Sequence, residues 1–159
     1  MARWTKKNGQ NSFGYKNHIK ADTKTKLITG YAVTSANIAD KEVVEDLLNK
    51  KEDGGQPLHG DAAYSSRELE EVYQKKGIIS RVNMKGYRHK AITEKQQKQN
   101  KRKSKVRARV EHIFGFMSNS MNRMYLKYRS FVRNKVGIGL MNLTYNLFRL
   151  VQLKIELTK

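Results

Sequence analysis

Cysteine is absent from this chain of 159 residues, and proline and tryptophan each occur once. The absence of cysteine excludes disulfide bonds and thiolate metal sites, and it is compatible with a cytoplasmic protein. The sequence has no run of about 18 apolar residues, which excludes a transmembrane helix. Its N-terminus also lacks the apolar segment of a signal peptide. We therefore expect a cytoplasmic protein with no membrane partner.

Acidic residues are also scarce, with 14 Asp and Glu against 33 Lys and Arg, so the formal net charge is +19. A charge this large favours an acidic partner, and nucleic acid is the commonest one. A membrane-surface role is less favoured, because the basic residues are spread over several segments instead of one helix face. Since 38% of the residues are hydrophobic, the chain is expected to fold around a core and not to be a disordered basic tail.

The N-terminal half begins with a predicted β-hairpin. Apolar and polar residues alternate from Phe13 to Ala21, which is typical of a half-buried strand. Asp22–Lys26 is a polar turn, and the β-branched and aromatic residues of Leu27–Thr34 predict the return strand. Residues 1–12 show no periodic pattern.

Helices and further strands are predicted after the hairpin. Asp40 is a suitable N-cap for a short helix. Ser65 and Glu68 match a capping box, and Gly77 is placed to end that helix. Residues 78–82 predict another strand. The resulting order, β-β-α-β-α-β-α-α, indicates an α/β fold.

Positive charge is concentrated between Arg81 and Arg109, where twelve Lys and Arg against one acid, Glu94, give 12 − 1 = +11. Residues 83–103 are predicted to be a basic linker, and helices are predicted at about 104–118 and 136–154. Phosphate contact is the expected role of the charge. The candidate DNA-binding residues are Lys101, Arg102, Lys103, Lys105, Arg107 and Arg109.

Two acidic residues occupy positions that are suitable for a catalytic or metal-binding site. Asp61 follows a short apolar segment and precedes a helix, as at the carboxyl end of a strand in an open α/β sheet. Glu111 follows Arg107 by one helical turn and flanks the apolar stripe of its helix. Ordinary structural roles compete with these interpretations: Asp61 could be a turn residue, and Arg107 with Glu111 a surface ion pair.

Several sequence blocks, in this order, resemble those of one known protein family. They are Lys7–Gly9 with Phe13–Ile19 (FGYKNHI) and Asp22, Gly60–Tyr64 (GDAAY), Arg107–Gly115 (RARVEHIFG) and Gly139–Leu147 (GLMNLTYNL). Together they resemble the C-terminal catalytic part of DDE transposases of bacterial insertion sequences, in the insertion sequence 5 family.

The resemblance implies a ribonuclease H-like mixed sheet flanked by helices, formed by residues 1–159 as a single catalytic-core fragment. It implies DNA end cleavage and strand transfer with two Mg²⁺ ions, and the terminal repeats of an element as the DNA partner. Asp61 would be the second catalytic and metal-binding acid, and Glu111 the third. A homodimer or a complementing transposase chain is a further expected partner.

The chain departs from the family pattern in ways that bear on activity. The family's first aspartate lies on a strand before Phe13, but no Asp or Glu precedes Phe13 here, so the fold is expected to be N-terminally truncated. Asp22 and Asp40 are weighed as replacements and set aside as a turn residue and an N-cap. Ser118 and Ser104 stand where the family tends to have Lys and Tyr. We expect a DNA-binding fragment that is inactive alone, with a non-catalytic basic nucleic-acid-binding module as the alternative.

Overall fold

The fold consists of two compact units. A computed structural model describes residues 2–7, 9–86, 91–121, 126 and 128–158. The first unit combines Met1–Ile38 with Val110–Lys159, and the second comprises Ala39–Arg109. Sequence analysis expected residues 1–159 to form a single catalytic core, and that remains a prediction.

The first unit contains a three-stranded antiparallel sheet in the order β1-β2-β3. The strands are β1 (Arg3–Lys7), β2 (Gln10–Ala21) and β3 (Ile28–Ser35). The predicted hairpin is confirmed, because β2 and β3 are antiparallel neighbours. The turn between them is held by Asp22, whose Oδ2 accepts hydrogen bonds from the backbone N–H groups of Lys24 at 3.0 Å and Thr25 at 2.6 Å. The assignment of Asp22 to a turn is therefore confirmed.

Two long helices complete the first unit, α4 (Glu94–Ser120) through its C-terminal part and α5 (Phe131–Leu157). Ile113 and Met117 of α4 are fully buried against Ile28 of β3 and Tyr145 of α5. Burial of these large side chains is the main source of stability in this core. The predicted helices at 104–118 and 136–154 are thus present, within longer helices.

The second unit is built from short elements around its own core. It contains a 3₁₀ turn (Asp40–Val43), α1 (Val44–Leu47), α2 (Lys50–Asp53), β4 (Pro57–Leu58), a 3₁₀ turn (Ala62–Tyr64), α3 (Arg67–Lys75) and β5 (Ile79–Ser80). Strands β4 and β5 pair in parallel. The core residues are Val44, Leu48, Leu69, Tyr73, Ile78 and Val82. Together, the two units give a mixed α/β fold, as the element order predicted.

Two predictions about irregular segments were wrong. Residues 94–103, assigned to a basic linker, are the first turns of α4. Strand β1 was missed, and the Asn8-Gly9 dipeptide was the available signal, because Asn-Gly is a preferred hairpin turn. Gly9 has φ 80°, as such a turn requires. Residues 87–90 of the basic run lie outside the described residues.

Two predicted caps are displaced by one residue. Asp40 is the first residue of its 3₁₀ turn and Ala39 is the N-cap. The N-cap of α3 is Ser66, whose Oγ accepts from the backbone N–H of Leu69 at 3.3 Å. Ser65 is instead the C-cap of the preceding 3₁₀ turn, where its backbone N–H donates to the carbonyl of Ala62 at 3.3 Å. The predicted helix end is confirmed, since Gly77 follows the C-cap of α3 with φ 68°.

Candidate functional site

Asp61 lies three residues beyond β4, at the carboxyl end of that strand, as sequence analysis predicted. It is the N-cap of the Ala62–Tyr64 turn, and its Oδ1 accepts a hydrogen bond from the backbone N–H of Ala63 at 2.9 Å. Its other oxygen, Oδ2, accepts no hydrogen bond from the described residues. Asp61 therefore has a structural role as a cap, and the residue as a whole is half-buried.

Gly60 and Tyr64 fix the position of Asp61. Gly60 is buried, and a Cβ at this position would lie 2.9 Å from Cδ2 and 3.3 Å from Cβ of Tyr64. The Tyr64 ring therefore packs directly against the backbone that carries Asp61. Burial, followed by the nearby carboxylates of Asp40 and Asp61, raises the pKa of the Tyr64 hydroxyl, while Arg107 opposes that shift. The phenol is neutral at physiological pH, with two acids and one guanidinium in its surroundings.

Glu111 lies on α4, one turn after Arg107, and its side chain is exposed. Sequence analysis placed it on the flank of an apolar stripe, and the buried residues Ile113 and Met117 mark that stripe. Asp61 belongs to the second unit and Glu111 to the first. That the two carboxylates approach one another stays a prediction.

The acidic residues do not assemble a metal centre in the part of the chain that the structure describes. All 14 Asp and Glu residues fall within the described ranges, yet no three of the His, Asp and Glu side chains there are grouped as metal ligands. A pair of Mg²⁺ ions needs several oxygen ligands held close together. The donor set present therefore does not fit the two-ion site that the family resemblance implies.

Hydrogen bonds from polar side chains hold the N-terminal half of α4 against residues 82–84. Asn100 forms two hydrogen bonds with the backbone of Met84, at 2.9 and 3.0 Å. Lys103 Nζ donates to the carbonyl of Val82 at 2.6 Å, and the Asn83 amide donates to Ser104 Oγ at 3.0 Å. Ser104, which stands where the family tends to have Tyr, thus takes part in one of these contacts.

A row of cations runs along α4 on the side away from those contacts. Its members, Lys95, Lys98, Arg102, Lys105 and Arg109, recur at intervals of three and four residues, which is the spacing of one helix face. We call these five residues the α4 cationic row. The first and last members are fourteen positions apart, or about 21 Å at 1.5 Å per residue. Such a row is the arrangement expected for successive contacts with nucleic-acid phosphates.

The six predicted DNA-binding residues fall into two groups in the structure. Lys101, Arg102 and Lys105 are exposed, whereas Lys103, Arg107 and Arg109 are half-buried. Lys103 is bound to the Val82 carbonyl, and Arg107 lies in the surroundings of Tyr64. That any of the six binds DNA stays a prediction.

His59 adds no positive charge to this region at neutral pH. Burial, and then the positive charges of Arg81, Lys103 and Arg109, lower the pKa of its imidazole. Its Nδ1 is buried and has no hydrogen-bond partner among the described residues. Three cations thus lie near His59, which precedes Asp61 by two positions in the sequence.

Sequence analysis overlooked a set of asparagines that fix α5 to the sheet of the first unit. Asn17 of β2 and Asn142 of α5 exchange two side-chain hydrogen bonds, at 2.7 and 3.2 Å. Asn146 bonds both the N–H and the C=O of Ile28, each at 2.8 Å. The asparagines within the apolar pattern of α5 were the available signal. A buried amide needs a hydrogen-bond partner, so their presence indicates polar contacts with another element.

The fold, the two candidate acids and the basic helix α4 are accompanied by a family match. Residues 1–147 match the family model described as "Transposase DDE domain", and the chain belongs to this family.

Among curated proteins, the chain is similar to the transposase for insertion sequence element IS1106 of Neisseria meningitidis serogroup B. The two are 28% identical over 152 residues, which cover 93% of this chain and 51% of the relative. The chain thus spans about half the length of that relative. No solved structure matches the chain.

Proposed function

We propose that this chain is a DNA-binding part of an insertion-sequence transposase, in the insertion sequence 5 family, that does not cleave or join DNA alone. The α4 cationic row carries the proposal, because it presents five Lys and Arg side chains along one helix face. Membership of the transposase DDE domain family supports it. The +19 charge gives the same indication.

The polar contacts of α4 explain how the row is presented. Asn100, Lys103 and Ser104 hold one side of the helix against residues 82–84, so the opposite side is directed outward. Fixing the helix in the folded state reduces the entropy lost when its cations meet a phosphate backbone. Phosphate contacts carry no base information, so this surface is expected to bind unrelated DNA sequences about equally.

For catalysis, we propose that Asp61 and Glu111 are two of the acids of a ribonuclease H-like site, and that another polypeptide supplies the rest. The α/β character of the fold supports the proposal, with an antiparallel sheet in the first unit and a separate parallel strand pair in the second. The position of Asp61 just beyond the carboxyl end of β4 supports a ligand role. Since no three acids are grouped among the described residues, this chain with cognate DNA and Mg²⁺ is expected to give no cleavage.

A non-catalytic nucleic-acid-binding module remains the second candidate. It is favoured by the structural role of Asp61 as the N-cap of the Ala62–Tyr64 turn. In Asp61→Asn, the acceptor for the Ala63 N–H is kept and only the charge is lost. If the chain is a non-catalytic module, Asp61→Asn should leave DNA cleavage by a mixture of this chain and a complementing transposase chain unchanged. If Asp61 is a catalytic acid, the substitution should abolish that cleavage.

Salt-dependent DNA binding, followed by fluorescence anisotropy, tests the binding surface. If all five residues of the α4 cationic row contact phosphates, the slope of log K against log salt should be about −4.5. Replacing Lys98, Arg102 and Lys105 by Gln should reduce it to about −1.8, because three contacts are lost.

The matched control replaces Lys50, Lys51 and Lys75 by Gln. These three lysines are exposed and belong to the same unit, so the control removes the same net charge away from α4. It should change the slope by no more than about 0.9, which is the contribution of one phosphate contact. Equal slopes for the two triple variants would contradict the assignment of the binding surface to α4.

A further inference from the structure

A small cleft in the first unit is lined by both cations and aromatic rings and takes no part in the candidate site. It lies where the turn between β2 and β3 meets α4 and α5, and its volume is about 180 Å³. We call it the turn cleft. About six water molecules would fill it, at about 30 Å³ each. Its lining includes Lys26, Phe116, Tyr145, Phe148 and Arg149.

Three of the lining residues are aromatic and contact one another. The ring centroid of Phe116 lies 5.8 Å from that of Tyr145 and 5.7 Å from that of Phe148, with interplanar angles of 73° and 60°. Tyr145 is buried, whereas Phe148 is 50% exposed. An aromatic side chain that is exposed at a cleft offers a stacking surface to an unpaired nucleobase, since every base has a π-face.

The cations of the turn cleft retain hydrogen-bond donors that the fold does not use. Arg149 is a largely buried cation, with a side chain only 12% exposed. Its Nε donates to the Thr25 carbonyl at 2.7 Å, and its Nη1 donates to Gln152 and Glu156, each at 3.2 Å. Its Nη2 donates to no residue that the structure describes, and the same is true of the Lys26 ammonium. Charged donors of this kind are the ones that bind phosphate oxygens.

The backbone of Lys26 is held in a conformation that is unfavourable for lysine. Its φ is 62°, and within the described ranges Lys26 is the one residue other than glycine with a positive φ. Two hydrogen bonds maintain this conformation: the Lys26 N–H donates to the Asp22 carbonyl at 3.0 Å, and the Lys26 carbonyl accepts from the Tyr145 hydroxyl at 3.1 Å. Glycine would adopt it without strain. Because strained residues cluster at ligand sites, the lysine at this position indicates a function for its side chain.

We propose that the turn cleft binds one unpaired nucleotide, with the base against Phe148 and the phosphate bonded by Lys26 and Arg149. An aromatic ring beside two cations matches a planar base that carries a phosphate, and a cleft of about 180 Å³ is too small for a base pair. Free nucleotides and the unpaired nucleotides of a DNA strand share this chemistry. The proposal goes beyond duplex binding by the α4 cationic row, which belongs to the second unit.

Photo-cross-linking with 5-iodouracil, which couples to aromatic rings on which it stacks, locates the base and distinguishes the two sources. The probes are free 5-iododeoxyuridine 5′-monophosphate, a DNA duplex with 5-iodouracil in a single-nucleotide overhang, and the same duplex with 5-iodouracil paired in its interior. The free probe, the overhang or both should become attached to the tryptic peptide 136–149, which contains Tyr145 and Phe148. Attachment of the free probe identifies free nucleotides as ligands, and attachment of the overhang identifies strand nucleotides. Attachment of neither, or of the paired base as readily as the overhang, would overturn the proposal.

Matched variants measure the contribution of the aromatic ring, by calorimetric titration of whichever probe is attached. Phe148→Ala should weaken binding about 5–150-fold, the range for loss of one base–aromatic contact. Phe13→Ala removes a ring of similar exposure from β2 and should leave binding unchanged. A circular-dichroism spectrum equal to that of the unmodified chain verifies that Phe148→Ala is folded.

Lys26→Gly separates a ligand role from a structural one. Its melting temperature should be unchanged or higher, because glycine relieves the strain at a positive φ. Nucleotide binding should fall about 10-fold, because a charged contact is lost. Lys24→Gln removes the same charge from an exposed position in the same turn and should leave binding unchanged.

Unchanged nucleotide binding by both Lys26→Gly and Phe148→Ala would overturn the assignment to the turn cleft. The triple Gln variant of the α4 cationic row should bind duplex DNA weakly and the free or overhanging nucleotide at its 5-iodouracil peptide as before once duplex-independent binding is compared. Failure of this proposal and failure of the proposed function are therefore distinguishable.

Discussion

The paired amides of Asn17 and Asn142 give the sharpest test of how α5 is held on its sheet. Their side chains exchange hydrogen bonds of 2.7 and 3.2 Å, and Asn142 is only 3% exposed. Leucine has nearly the shape of asparagine but can neither donate nor accept. Replacing one partner by Leu therefore leaves the other amide without its bonds.

The two single variants are expected to lower the free energy of unfolding by different amounts. Asn17→Leu removes two hydrogen bonds, worth about 1 kcal/mol each, and leaves the Asn142 amide buried at a further cost of about 1–3 kcal/mol. A destabilisation of about 3–5 kcal/mol is expected. Asn142→Leu should cost less, about 2 kcal/mol, because Asn17 is half-exposed and water can partly satisfy its amide.

The variant in which both asparagines are replaced by Leu is the decisive one. With both amides replaced by Leu, no polar group is stranded and apolar contact is gained, so the total cost should be about 1 kcal/mol or less. The coupling energy is then about 4–6 kcal/mol, above the range of about 0.5–3 kcal/mol found for most residues in contact, because each single variant strands an amide.

Urea unfolding followed by circular dichroism measures these energies. The single tryptophan, Trp4, is 67% exposed and would report unfolding poorly. As a control, Asn17→Leu is combined with Glu156→Gln, which lies on α5 about 21 Å from Asn142. That pair should be additive within about 0.5 kcal/mol. A double Asn variant as unstable as the sum of its singles would refute the reasoning.

Two further predictions concern the Asp61 backbone and the hairpin turn. Gly60→Ala should destabilise the second unit by about 1–3 kcal/mol, because its Cβ would lie 2.9 Å from the Tyr64 ring; thermal unfolding checks this, and an unchanged melting temperature would contradict the packing. Hydrogen bonds from Thr25, chiefly its backbone N–H, hold the pKa of Asp22 below its usual 3.8. The carboxylate thus stabilises the fold above that value, and the effect is lost as pH falls through the lowered pKa. Asp22→Asn should cost about 1–2 kcal/mol at pH 7 and progressively less below pH 4, and a cost independent of pH would contradict this account.

Elements with apolar periodicity could be predicted from the sequence, and elements stabilised by polar contacts could not. The alternation after Phe13 and the apolar residues around Ile113 and Ile138 located β2, α4 and α5, because burial of one face dictates such patterns. The first turns of α4 have no such face. They are held by Asn100 and Lys103, which bond backbone groups distant in sequence, and by Ser104, which accepts a hydrogen bond from the side-chain amide of Asn83.

The candidate site was predictable to a similar extent. The position of Asp61 beyond a short strand followed from local sequence, since an apolar segment and a capped turn flank it. The α4 cationic row did not, because it appears only when residues 94–103 are known to be helical. Grouping of acids depends on tertiary contacts, which local patterns do not encode.

The resemblance blocks themselves have structural roles that explain much of their composition. Gly60 allows Tyr64 to pack on the backbone beside Asp61. Asn17, from the first block, bonds Asn142, from the last, although 125 residues separate them. The blocks therefore specify contacts of the fold as well as a candidate site. Family membership and catalytic activity are consequently separate properties of this chain: the first follows from the sequence match and agrees with these contacts, whereas the second stays a prediction.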